Sequence, residues 1–110
     1  MVKPVDLPDI PEVPDAEFGS PAHARGLTNG RFTGVGDALH WLTFTHLTPA
    51  LQRYSAPFYT LAAQVITSNP TDCPEMTTAL NKILEAKDLA VRAGIRNDDG
   101  GPGPIPGPPA

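Results

Sequence analysis

The residues with the clearest chemistry in this 110-residue chain are aromatic rings and cations. His46 and Tyr54 offer ring faces for stacking, and Arg53 precedes Tyr54 directly. Arg92 and Arg96 follow further along the chain, at the spacing of one helical turn. Proteins hold small nucleotides by combining a stacking ring with a basic clamp on phosphate, at roughly 1–3 kcal/mol per stacked base. This set of residues therefore favours an anionic ligand that contains rings.

The sequence contains no recognisable motif for catalysis or for metal binding. The serines, histidines and acids have neither a nucleophile elbow nor the spacing that would join them into a triad. Cys73 is the sole cysteine, so it cannot form an internal disulfide, and three scattered histidines add a poor zinc set to it. We therefore expect no enzyme activity, no metal and no cofactor.

The charge distribution limits the classes of partner. The net charge is −4, but the acids are concentrated in residues 1–39 and at Asp98 and Asp99, whereas residues 40–97 are close to neutral. This pattern permits an anionic ligand and excludes a DNA-binding footprint. No apolar run approaches the ~20 residues of a membrane span, and residues 1–39 do not contain the apolar core of a signal peptide. We expect a soluble protein that has no membrane partner.

Residues 40–97 carry the signals for a folded, helical domain. Thr48 followed by Pro49 is a helix start, because threonine caps well and proline is tolerated at the first helical position. Pro57 lies inside the helix that follows, where it removes a hydrogen bond and clashes one turn back. The sequence therefore predicts either a helix kinked at Pro57 or two pieces, over 49–55 and 56–68.

A second, longer helix is predicted over 73–93. Asp72 and Glu75 form a capping-box pattern at its start, and Gly94 is placed to end it. An i,i+4 pair of Asp88 with Arg92 adds a few tenths of a kcal/mol. The apolar residues of this helix form two adjacent stripes, which together are wider than one partner helix can cover. The core that residues 40–97 can form is also small, and a core of this size usually needs support from oligomerisation.

Segments rich in proline and glycine flank this domain. Residues 1–39 are predicted to be an extended acidic arm, since Pro8, Pro11 and Pro14 repeat at the three-residue period of a polyproline II helix. Its purpose stays open between a docking peptide for a partner and a solvated arm. Residues 98–110 are predicted to be a disordered tail. The predicted fold class is all-α: a small, kinked helical hairpin protomer that forms an oligomer and has extended or disordered arms.

The residues between Phe44 and Asn97 also resemble a known family. The segments FTHLTP, RY, LAAQVI, NP and TALNKILEAKDLAVRAGIRN occur in the order found in the phage anti-CBASS cyclic-oligonucleotide sponges and their uncharacterised relatives. The resemblance covers about half of the chain, and ALNKILEAKDLAVRA is its most specific part. It implies a hexamer of helical protomers in the host cytoplasm. That hexamer would bind cyclic di- and trinucleotide immune signals between protomers without cleaving them.

The resemblance carries over to individual positions unevenly. His46 falls on the pocket aromatic of the family, and Arg96 matches the arginine before the final asparagine. The basic residue of the family's first helix aligns with Ser55–Phe58, where this chain has no lysine or arginine. Arg53 is the nearest substitute. The implied site thus joins His46, Arg53 and Tyr54 of one protomer to Arg92 or Arg96 of a neighbour.

A second interpretation follows from the arms, which a diffusing sponge does not need. The chain is then a structural protein of the virion, associated with the capsid, whose arms tie onto neighbouring subunits. A third interpretation makes the proline-rich acidic arm an adaptor that docks onto a host partner.

Overall fold

A computed structural model of the chain describes residues 7–98. In that range the chain forms helices α1 (Pro21–Leu27), α2 (Thr33–Trp41), α3 (Pro49–Ser68) and α4 (Pro74–Asp98), and no strand. The all-α prediction is therefore confirmed. Helix α4 packs against both α3 and α2, and α1 packs against α2. Each helix in the described range is too short or too polar to cross a membrane.

Helix α3 is one continuous element, not two pieces. It begins at Pro49 after Thr48, whose φ and ψ of −62° and 155° are the extended values of an N-cap residue. Pro57 lies inside it and leaves the carbonyl of Arg53 without its usual donor. Because Pro57 is exposed, water can reach that side of the helix. The alternative of separate helices over 49–55 and 56–68 is wrong.

Helix α4 begins close to its predicted start but extends past its predicted end. Its 25 residues run from Pro74 to Asp98, beyond the predicted end at Ala93. Gly94 does not terminate the helix: it is buried, and a Cβ atom there would lie 2.5 Å from ring atoms of Tyr54. The glycine therefore allows α3 and α4 to approach closely, and the helix continues through it.

The prediction of an extended arm over 1–39 is wrong for residues 21–39. Those residues contain all of α1 and most of α2, and the predicted boundary between 39 and 40 cuts through α2. The backbone N–H of His23 donates to Ser20 Oγ at 3.2 Å, so Ser20 caps α1 with Pro21 in its first turn. The glycines of α2 allow close packing, since a Cβ on Gly34 would lie 2.8 Å from the Thr77 side chain.

Residues 7–20 form neither helix nor strand, yet they dock on the helices. A Cβ on Gly26 would lie 2.5 Å from the side chain of Val13, so Val13 occupies the notch that this glycine leaves. Ile10 packs against the core. The arm therefore docks on its own chain. Residues 1–6 of the predicted arm and 99–110 of the predicted tail lie outside the described residues.

The core lies where the arm and all four helices meet. Its fully buried side chains include Leu39, Leu42, Tyr59 and Leu80. Around Tyr59 the rings of Phe18, His23 and Phe44 pack with centroids 5.0–6.3 Å apart. The hydroxyl of Tyr59 lies 2.7 Å from His23 Nδ1, and His23 Nε2 lies 3.3 Å from the Pro11 carbonyl oxygen. Because a carbonyl only accepts, Nε2–H donates to Pro11, and Nδ1 is hydrogen-bonded to the Tyr59 hydroxyl.

Asp72, which precedes α4, forms hydrogen bonds with the loop between α1 and α2. Arg31 donates to Asp72 Oδ1 from Nε at 2.8 Å and from Nη2 at 2.5 Å, and the backbone N–H of Phe32 donates to Oδ2 at 2.6 Å. Asp72 forms no hydrogen bond with Glu75 in the described part of the chain, so the predicted capping box is wrong. The hydrogen bond from Arg31 lowers the pKa of Asp72.

Candidate functional site

A cavity opens between the first turns of α3 and the C-terminal half of α4. Its volume is about 340 Å³, within the range of small-ligand pockets. Leu51 and Ser55 line it one turn apart on α3. The other lining residues are Leu47, before α3, and Lys87, Asp88, Val91 and Arg92 on α4. The lining thus combines an apolar wall with charges, and we call it the α3–α4 cavity.

The charges of the α3–α4 cavity are not balanced. Lys87 Nζ lies 3.1 Å from Asp88 Oδ1, and only 17% of the Lys87 side chain is exposed. The predicted pair of Asp88 with Arg92 is wrong, because Asp88 is paired with Lys87 instead. Arg92 forms no ion pair with any residue between 7 and 98. Within the described part of the chain, the charge of the Arg92 guanidinium is therefore not neutralised.

The α3–α4 cavity also contains a buried hydroxyl group without a partner. Ser55 is 1% exposed, and its Oγ forms no hydrogen bond within the described part of the chain. Leaving such a group unpaired costs about 1–3 kcal/mol. Serines inside helices often bond to the carbonyl one turn back, and Ser55 does not. The Oγ atom itself has less than 1 Å² of accessible surface, so it lies beneath the cavity wall.

Sequence reasoning did not select Ser55 as a site residue. Its significance depends on which neighbours α4 brings to it, and no local motif encodes that. That the Ser55 hydroxyl lacks a hydrogen-bond partner becomes apparent only when the packing of α3 against α4 is known. The pairing of Lys87 with Asp88 was not predicted either, because it depends on the same packing.

Two predicted site residues, Arg53 and Tyr54, meet in a cluster next to this cavity. The Tyr54 hydroxyl donates to Asp98 Oδ1 at 2.8 Å, and Arg53 Nη2 lies 2.5 Å from that hydroxyl and 3.4 Å from Asp98 Oδ1. The hydrogen bond to Tyr54 raises the pKa of Arg53. The Tyr54 ring also contacts Gly94, so α4 covers part of it. A ligand that used Arg53 would therefore compete with Asp98.

The remaining predicted residues, His46 and Arg96, are exposed. His46 lies in the turn before α3, next to Leu47 of the cavity lining. Arg96 was expected just beyond the end of α4, and the structure places it in the last turn of that helix, one turn after Arg92. Neither side chain forms a hydrogen bond within residues 7–98. Both remain accessible to a ligand or to another protein chain.

Metal binding has no structural basis in the part of the chain that the structure describes. No group of three or more histidine, cysteine or acidic residues there is arranged to hold a metal ion. Cys73 is half-buried and packs against the core. His23 is committed to the hydrogen bonds with Tyr59 and Pro11.

Comparisons with known proteins add no assignment. No protein-family model, no curated protein and no solved structure matches this chain. Membership of the sponge family therefore stays a prediction that depends on the residues between Phe44 and Asn97.

Proposed function

We propose that this protein binds and sequesters cyclic di- and trinucleotide immune signals and acts as a phage protein in the host cytoplasm. The observation that supports this most is the α3–α4 cavity, whose lining includes Arg92, a cation without an acidic partner among residues 7–98. Arg92 supplies the charge that a phosphate needs. Leu47, Leu51 and Val91 give a wall suited to the apolar faces of a sugar or base.

Sequestration without cleavage fits the chemistry of the cavity lining. Cleavage of a phosphodiester needs a nucleophile and a group that accepts its proton. Asp88, the one acid of that lining among residues 7–98, is paired with Lys87. The described lining contains no histidine. The residues present therefore favour binding over reaction.

The proposed active form is a homo-oligomer, for which the resemblance implies a hexamer. Apolar side chains remain exposed along α3 and α4: Leu61, Leu89 and Ile95 are 49%, 65% and 43% exposed. Covering them against other copies would remove apolar surface from water. In such an assembly, His46 and Arg96 of neighbouring protomers complete the binding site. Light scattering on the full chain measures the assembly, and a monomer at micromolar concentration would contradict this part of the proposal.

Calorimetry with a panel of cyclic di- and trinucleotides tests the function itself. We expect Arg92→Ala to weaken binding about tenfold or more, since a hydrogen bond to a charged group is worth about 1.5–3 kcal/mol. Arg25→Ala is the matched control, because Arg25 is an exposed helical arginine that does not line this cavity. The absence of binding to every nucleotide at high micromolar concentration would rule out the sponge function.

A second candidate is a virion protein that ties onto neighbouring capsid subunits. It is favoured by Phe32 and Trp41, which stand 51% and 66% exposed at the two ends of α2. Both precede the segment that resembles the sponge family, so the sponge function gives them no role. Mass spectrometry of purified virions tests this candidate. Stoichiometric amounts of the chain would support it, and absence from the particles would exclude it.

A further inference from the structure

The loop between α1 and α2 contains the one asparagine–glycine pair of the chain, Asn29 and Gly30. Residues 28–31 form a tight turn there, because the backbone N–H of Arg31 donates to the Thr28 carbonyl oxygen at 3.0 Å. Gly30 has a φ of +82°, the value of the third residue of a type II turn. Asn29 and Gly30 are both exposed, so the turn presents the pair to solvent.

The polar groups that could restrain this pair are not engaged. The backbone N–H of Gly30 forms no hydrogen bond with any residue between 7 and 98, and the same holds for the side-chain amide of Asn29. Nothing lies within 4 Å of the position that a Cβ atom on Gly30 would take. The pair can therefore rotate without displacing a neighbouring side chain, and the Gly30 nitrogen can approach the Asn29 side chain.

An asparagine beside such a free backbone N–H can react with its own chain. The Gly30 nitrogen loses its proton to a base in solution and bonds to Cγ of Asn29. The side-chain nitrogen takes up a proton and leaves as ammonia, which closes a five-membered succinimide. Water then opens one of the two imide C–N bonds and gives either aspartate or isoaspartate at position 29. One water is consumed and one ammonia is released, with no change of oxidation state.

The other three asparagines of the sequence lack this combination of features. Asn69 precedes Pro70, whose backbone nitrogen carries no hydrogen. Asn69 Nδ2 also donates to the Val65 carbonyl oxygen at 2.8 Å. Asn81 lies in the middle of α4, where the following N–H belongs to the hydrogen-bond ladder of the helix. Asn97 lies in the last turn of α4, and the next residue has a side chain. The chain thus contains its own controls.

We propose that Asn29 is a site of spontaneous deamidation and that its isoaspartate product loosens the α1–α2 loop, an inference that does not depend on the proposed function. Isoaspartate directs the main chain through the former side chain and adds one methylene group to the turn. That methylene shifts Arg31 relative to Asp72, to which Arg31 Nε donates at 2.8 Å. Either product also adds one negative charge to the loop.

Peptide mapping by mass spectrometry, after incubation of the full chain at neutral and at mildly alkaline pH, tests the site. We expect products at Asn29, formed faster at the higher pH because the attacking nitrogen must lose a proton. Asn69, Asn81 and Asn97 should remain intact over the same period. Gly30→Ala should slow the reaction about tenfold or more, because a Cβ beside the nitrogen keeps the reacting atoms apart. Asn29→Gln leaves the glycine in place and should give no product at this position.

The effect on the loop is measured on the modified protein, which ion-exchange chromatography isolates through its additional charge. Asn29→Asp is the matched control, since it carries the charge without the methylene. The isoaspartate protein should melt a few degrees below Asn29→Asp. Equal melting temperatures would overturn the loosening of the loop. Equal amounts of product at all four asparagines, or an unchanged rate in a folded Gly30→Ala variant, would overturn the site. These results are separate from cyclic-nucleotide binding.

Discussion

Two regions of this small protein differ in whether their buried polar groups have hydrogen-bond partners. Around the core, His23, Tyr59, Arg31 and Asp72 have partners for their polar atoms, and we call this set the polar junction. In the α3–α4 cavity, Ser55 has no partner among the described residues. The first arrangement stabilises the fold, whereas the second costs free energy in the unliganded protein. Under the proposed function, the unpaired Ser55 hydroxyl is a cost tolerated beside Arg92, which has no acidic partner among residues 7–98.

The largest loss of stability is expected from Gly19→Ala, next to the polar junction. Gly19 has a φ of +83°, and a Cβ there would overlap the ring of Phe44, which packs on Tyr59. The backbone conformation and the overlap together should cost about 2–5 kcal/mol of unfolding free energy. Urea denaturation measures this loss. Gly30→Ala is the control, because Gly30 has a similar φ of +82° but open space around its Cβ position; losses of equal size would show that the Phe44 contact contributes nothing.

Tyr59→Phe is the next most damaging change. It removes the hydroxyl bonded to His23 Nδ1 and leaves a buried nitrogen without a partner, which should cost about 1–3 kcal/mol. Tyr54→Phe makes the same change beside the α3–α4 cavity, where Tyr54 is only half-buried and water can replace its bond to Asp98. We expect a clearly smaller loss for Tyr54→Phe in the same denaturation experiment. The reverse order would contradict the contrast between the two regions.

Acid should weaken the polar junction through Asp72. Its pKa is lowered in the folded state by the hydrogen bond from Arg31, so its contribution to stability is full above the unfolded pKa of about 3.9. The contribution is lost as the pH falls through the lowered folded-state pKa. We expect Asp72→Asn to lower the melting temperature by a few degrees at pH 7 and to converge with the wild type in strong acid. Asp37→Asn, at an exposed position of α2, is the control; a difference from wild type that persists unchanged in strong acid would exclude this role of Asp72.

The smallest change in stability is expected from Ser55→Ala. Removing an unpaired, buried hydroxyl relieves a cost, so the unfolding free energy should stay constant or rise by up to about 1 kcal/mol. Denaturation of the variant without ligand measures this. A loss of about 1 kcal/mol would show that Ser55 already has a partner and that the cavity does not hold an unsatisfied donor.

The long helices were predictable, because their apolar residues repeat at the helical period and Thr48–Pro49 gives a local start signal. Helices α1 and α2 were missed, although Ser20–Pro21 is a start signal of the same kind. The glycines that follow were taken for loop residues, but Gly26 and Gly34 instead accommodate Val13 and Thr77. A glycine that permits close packing cannot be distinguished by sequence from one that permits a turn.

Only part of the lining of the candidate site could be read from the sequence, for a related reason. Arg92 stands out by type and spacing, and it does line the α3–α4 cavity. The roles of Asp72, Asp88 and Gly94 were assigned from neighbours in the sequence, and tertiary contacts with Arg31, Lys87 and Tyr54 replaced them. Ser55 carries no signal in the sequence at all, because its importance lies in the partner it lacks.

The most direct test of the central claim is a titration of isotopically labelled full-length protein with a cyclic dinucleotide, followed through backbone amide chemical shifts. The account predicts the largest changes at Ser55 and at Val91–Arg92, with changes at His46 if neighbouring protomers complete the site. Amides near His23 and Asp72, in the polar junction, should remain in place. Saturable shifts centred on the polar junction, or no shifts at millimolar nucleotide, would contradict the claim that the α3–α4 cavity is the binding site.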